Sequence, residues 1–166
     1  MSEPVEYVIR TVWIGVGATV VMDLWAVLRL RLFGIPSLDY AFVGRWLGHL
    51  RWGRFFHDPI AKSPRVPGER VIGWTAHYLI GIAFAAVLVA GWGLAWARQP
   101  TLGPALIVGI GSVVAPFCVM QPAMGAGFAA SRTPRPGMAR FQSLVTHGIF
   151  GVGLYLAAVV ARMAGV

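Results

Sequence analysis

Residues 71–96, VIGWTAHYLIGIAFAAVLVAGWGLAW, run for twenty-six positions without an Asp, Glu, Lys or Arg. A helix of roughly 20 apolar residues already crosses a hydrocarbon layer about 30 Å thick, so this stretch reads as a transmembrane helix. Three further windows meet the same test, at about residues 8–32, 101–130 and 141–161. Together the four predict an all-α, four-span membrane protein in a single domain over residues 1–166. Of the 166 residues 57% are hydrophobic and 12% charged, against roughly 45–50% and 25% in soluble globular chains. That is too little charge to cover a soluble protein of this size. High aliphatic content excludes a disordered chain, and the single cysteine, Cys118, excludes a disulfide scaffold. Glycine without a three-residue period excludes a collagen-like fibre.

Charge sets the orientation, because Lys and Arg are retained in cytoplasmic connections. Arg29, Arg31, Arg45, Arg51, Arg54, Lys62, Arg65 and Arg70 lie at or between the first two spans, and Arg132, Arg135 and Arg140 between the last two. The opposite side holds Arg10, Arg98 and Arg162. Both termini are therefore expected on the non-cytoplasmic side. The net charge of +8 is then a topology signal, and nucleic acid is not an expected partner, since no binding motif accompanies the arginines. The first span carries Asp23 behind an acidic flank, Glu3 and Glu6, unlike a cleaved signal peptide. Arg10, Arg29 and Arg31 near its ends are expected to snorkel, with stems in the apolar layer and guanidinium groups among headgroups.

The long connection, residues 33–70, predicts an interfacial helix capped by Ser37. Phe42, Val43, Trp46, Leu47 and Leu50 fall on its apolar side, which should lie in the headgroup boundary, with Arg45, His49 and Arg51 mostly off it and the arginines toward anionic lipid. The following HDPIAKSPRVPGER reads as a loop, with His49 and His57 as exposed polar surface.

The chain also repeats itself. Met22-Asp23 precedes Pro36 by fourteen residues from the methionine, and Met120-Gln121 precedes Pro134 by the same fourteen. His77 stands four residues before Gly81, and His147 four before Gly151. The pattern predicts two tandem helix pairs related by an axis along the membrane normal, with the interfacial helix inserted into the first.

Depth gives an independent pointer. His77 is seven residues inside Arg70, His147 seven inside Arg140, Asp23 about ten from the inner end of its span, and Gln121 eleven from Arg132. At 1.5 Å per residue these are roughly 10 to 16 Å below the boundary, so each span is expected to deliver one polar group to a common layer. Met22, Thr75, Tyr78, Met120, Met124 and Thr146 are the candidate surroundings. Three readings follow. The layer can pass protons or bind a small polar or cationic solute, with Pro116 and Pro122 freeing carbonyls beside Gln121. Two histidines on opposed helices, with Asp23 as a further ligand, also suit a metal or a haem, so His77, His147 and Asp23 are the candidate metal ligands. Or the four groups only bond one another and hold the helices in register, helped by close-approach pairs at Gly81/Ala85, Ala105/Gly109 and Gly111/Ala115. Cys118 is expected to be a buried apolar residue, and Trp13, Trp74, Trp92 and Trp96 interface anchors. No nucleophile triad, phosphate loop or paired zinc motif is present, which favours a non-enzymatic protein with no assigned cofactor.

The words GVGATVVMDLWAVL, FGIPSLDYAFVGRWLGHL, GERVIGWTAHYLIGIAFA, MQPAMGAGFAASRTPRP and SLVTHGIFGVGLYLAA resemble a bacterial family of small four-helix inner-membrane proteins catalogued as a domain of unknown function. The resemblance runs over nearly the whole chain and implies a multi-pass inner-membrane location. It supplies no activity, cofactor, partner or catalytic residue.

Overall fold

In the computed structural model, which describes residues 2–165, the first helix, α1 (Glu3–Phe33), begins with Pro4 in its first turn. Proline's missing N–H costs nothing at that position. The helix ends at Gly34, whose φ of +65° places its N–H on the carbonyl of Leu30 and closes the last turn as a left-handed cap. α2 (Tyr40–Leu50) is short, α3 (Glu69–Arg98) is interrupted at Gly93 (φ +75°), and α6 (Pro136–Met163) closes the chain. Between them α4 (Leu102–Gly111), a π-helical turn (Pro116–Met120) and the three-residue α5 (Gln121–Ala123) make one broken span. Four helical segments are thus long and apolar enough to cross a membrane, and the described residues contain no strand. The third is shorter than its sequence window. Pro122 removes a ladder donor, and Gly125 (φ +92°) and Gly127 (φ +75°) turn the chain away after Ala123.

The chain folds as two compact units. The first comprises residues 1–36, 78–112 and 145–166. Its core is Ile14, Ala18, Ala85, Leu88, Val89, Ala105, Phe150 and Leu154, all buried. Helices meet here through glycine. A Cβ on Gly15 would lie 2.5 Å from Ile82 Cα, one on Gly81 would fall on the Thr19 hydroxyl, and one on Gly109 would fall on Gly151. Gly111, expected to make such a contact, has nothing within 4 Å of its own Cβ position. At one end Glu6 accepts from Arg10 at 2.8 Å and from both Arg98 Nε (2.9 Å) and Nη2 (2.7 Å), while Arg10 Nη1 donates to the Ala97 carbonyl at 3.0 Å. Arg10 is therefore buried in an ion network, where the sequence suggested a snorkelling side chain. Glu6 offers it a partner one helical turn away, and a paired guanidinium need not reach for water.

The second unit comprises residues 37–77 and 113–144. Asp39, not Ser37, caps α2, its carboxylate accepting from Ala41 N at 2.9 Å. The helix buries Ala41, Val43, Gly44, Arg45 and His49 most fully, while Phe42, Trp46 and Leu47 of its apolar stripe are only half-buried against this unit's apolar cluster, so its most buried face is not the one the stripe indicated. Glycine decides this: Cβ atoms on Gly44 and Gly73 would fall on the carbonyls of Glu69 and Tyr40, so α2 and the start of α3 pack backbone to backbone. Arg45, 5% exposed, is turned inward and pairs through two 2.8 Å bonds with Glu69. Cys118 is exposed, and of the four tryptophans expected as interface anchors, Trp13, Trp74, Trp92 and Trp96, the last alone is buried, its indole N–H donating to Thr101 O.

Candidate functional site

Within the first unit, α1 and α3 meet at Asp23 and Tyr78, whose hydroxyl donates to Asp23 Oδ2 at 3.0 Å. The α4–α6 contact carries the second pair. Ser112 Oγ lies 2.6 Å from the Gly109 carbonyl and 2.7 Å from His147 Nδ1, and Ser112 is buried. Next to it Arg29 Nη1 reaches Thr146 Oγ1 at 3.4 Å, linking α1 to α6. Met22 packs against the core.

Within the second unit, His77 stacks on the Tyr40 ring, with centroids 4.0 Å apart and planes 25° from parallel, and Trp74 meets it edge-on at 5.8 Å. Gln121 stands two residues before the end of its span, in the last turn, where the count from Arg132 placed it well inside. Its N–H reaches back five residues to Pro116 O. Pro122 has no N–H, so one carbonyl in the Phe117–Cys118 turn lacks a ladder donor, and Gln121 Oε1 is buried without a partner among the described residues. Acceptors thus outnumber donors here, a local environment suited to a water or a cation. Met120 and Met124 join Val43 and Ile60 in this unit's apolar cluster, and Thr75 is exposed.

His49 and His57, expected at the surface, are buried instead. Their rings meet edge-on at 5.0 Å. His49 Nε2 lies 2.9 Å from Pro64 O, and His57 Nδ1 lies 2.8 Å from Ser63 Oγ. Burial, then the charges of Arg54 and His49, hold the His57 side chain below its ordinary value of 6.5. The loop is ordered because it satisfies α2 and the third span at once: Arg45 donates to the carbonyls of Ile60, Ala61 and Ser63, and His57 N donates to Ala123 O at 2.8 Å.

A family model described as a protein of unknown function (DUF2938) matches residues 12–161. The chain belongs to the DUF2938 family. No curated protein and no solved structure matches it. The DUF2938 match encloses Asp23, Tyr78, Ser112, Gln121 and His147, while the Glu6–Arg10 pair lies outside it.

Chemically, the Ser112 contacts of this DUF2938 protein fix a tautomer. Gly109 O can only accept, so the single hydroxyl hydrogen points to it, and the 2.7 Å contact with His147 requires the hydrogen on Nδ1. The neutral imidazole then carries its lone pair on Nε2. Among the described residues no three His, Cys, Asp or Glu side chains come together as a metal ion would need. Ser112 and Tyr40 escaped the sequence reading. The only available signals were a hydroxyl inside an apolar window and an aromatic at the start of α2, both common in structural roles.

Proposed function

We propose that this DUF2938 protein is a non-enzymatic, multi-pass protein of a bacterial inner membrane. Its intramembrane polar residues, Asp23 and His147 of the first unit and His77 and Gln121 of the second, handle protons or a small polar or cationic solute. The observation that carries the reading is the Ser112–His147 pair, which leaves an imidazole Nε2 as the lone-pair nitrogen in the same unit that holds the Asp23 carboxylate. Magnitudes favour a working site over a fastener. An Asp deep in a span costs about 2.5–3.5 kcal/mol on insertion scales, whereas an interhelical hydrogen bond returns about 0.6 kcal/mol.

Two features support the internal duplication. In both halves a glycine on one helix crosses a glycine on the next, Gly15 against Gly81 and Gly109 against Gly151, and a hydroxyl residue, Thr19 or Ser112, follows the first glycine by about one turn. Asp23 follows Gly15 by eight residues and Gln121 follows Gly109 by twelve. The extra turn falls where the second copy has its π-helical segment. With eleven of fourteen basic residues on one side, the termini lie on the non-cytoplasmic side.

The test is proton uptake into proteoliposomes containing a trapped pH dye, under an imposed potential. The expected result is uptake by the wild type that is abolished by Asp23→Asn and reduced by Tyr78→Phe. A structural bundle, the reading the glycine crossings favour, expects no uptake above empty vesicles and a change in thermal midpoint only. Uptake equal in wild type and Asp23→Asn would overturn the proposal.

A further inference from the structure

Once Arg45 and His49 are turned inward, α2 no longer offers the basic and apolar surface its sequence suggests. That surface is found immediately after it, in Arg51-Trp52-Gly53-Arg54-Phe55-Phe56. The turn is ordered: Trp52 N, Gly53 N and Arg54 N donate to the carbonyls of His49, Leu50 and His49, and Gly53 takes a φ of +69°. Trp46 Nε1 donates to Phe55 O at 3.0 Å. Yet its large apolar side chains find no cover, Trp52 being 60% and Phe56 68% exposed. Arg51 and Arg54 are exposed beside them, and the Arg51 guanidinium lies 3.7 Å from the Trp52 ring centre. Stacking on an aromatic face leaves the guanidinium N–H edge available to an anion.

The height of this turn in its unit is set by the backbone. His57 N bonds Ala123 O and Ile60 N bonds Met124 O, so the chain directly after Phe56 is tied to the last residue of the third span. Aromatic residues at the end of a membrane span sit among headgroups, where an indole or phenyl ring is half solvated by chains and half by polar groups. Asp39 and Asp58 are the exposed acids of this unit, against exposed Arg51, Arg54, Lys62, Arg65, Arg70 and the arginines at 132, 135 and 140. We propose that the 51–56 turn binds an anionic phospholipid, Arg51 and Arg54 holding its phosphate and Trp52 and Phe56 lying along its upper acyl chains. Charge complementarity, aromatic exposure and the tie to the span end all select a membrane lipid over a soluble anion.

The full-length chain in neutral detergent is titrated with brominated phosphatidylglycerol or brominated phosphatidylcholine while tryptophan fluorescence is followed. The expected result is half-quenching at a lower mole fraction of the anionic lipid. Arg51→Gln/Arg54→Gln should weaken that preference by roughly fivefold for each charge removed. Arg51→Lys/Arg54→Lys should retain it, and Trp52→Phe should lose the anionic-lipid component of the quenching. Circular dichroism of each variant identifies a misfolded one, for which the lysine pair stands in. An undiminished preference in a folded double-Gln variant overturns the proposal. So does an undiminished difference between anionic and neutral lipid quenching in Trp52→Phe, whose six other tryptophans supply the common background, or complete displacement of the lipid by soluble glycerol phosphate.

Discussion

At the scale of single residues, the glycines divide sharply by what surrounds them. A methyl on Gly44 or Gly73 would fall on a facing carbonyl, Glu69 or Tyr40, and backbone cannot swing aside as a side chain can. Gly44→Ala should lower stability by about 1–3 kcal/mol. Gly111→Ala, into open space, should leave the thermal midpoint unchanged or raise it, since alanine is the better helix former by up to about 1 kcal/mol. Melting of both variants in one detergent checks the contrast. Ser112→Ala leaves the half-buried His147 Nδ1–H without this acceptor, at an expected cost of about 1–3 kcal/mol. Asp23 and His147 could be read from sequence because ionisable groups are improbable in apolar windows. Ser112 could not, because a membrane serine so often satisfies itself on its own helix, as this one also does through Gly109.

At the scale of elements, the four spans were legible from length and apolar content, with the third overestimated at its C-terminal end. α2 was legible as a helix and misread as to face. Hydrophobic periodicity picks the stripe of Phe42, Trp46 and Leu50, but close approach is permitted only where side chains are absent, and Gly44 and the facing Gly73 set the contact. The inward turn of Arg45 onto Glu69 follows from that contact. The loop it holds should respond to acid. Folding lowers the affinity of His57 for a proton, so the unfolded loop takes one up first, and the stabilisation from neutral His57 is whole above about pH 6.5 and is lost as pH falls below it. Hydrogen exchange at the His57 amide, which donates to Ala123 O, should quicken on acidification after correction for the intrinsic rate. Protection independent of pH would contradict this.

For the whole molecule, the basic residues give a topology that labelling can check. With Cys118 replaced by serine, single cysteines introduced at Lys62 and Arg135 should react with an impermeant maleimide from one side of sealed vesicles and one at Ser2 from the other. All three labelling from the same side would contradict the orientation. The Glu6 clamp joins the start of α1 to the end of α3. Glu6→Gln should lower the thermal midpoint without altering proton uptake, since it removes a fastener remote in sequence from Asp23. The central claim, that the polar pairs of the first unit form a working site, rests on which nitrogen of His147 holds the hydrogen. Nitrogen-15 magnetic resonance of this histidine, with His49, His57 and His77 replaced, reads that directly in lipid bilayers. The expected result is a hydrogen on Nδ1 and none on Nε2 of the neutral ring. A neutral ring with its hydrogen on Nε2 and none on Nδ1 would contradict the account.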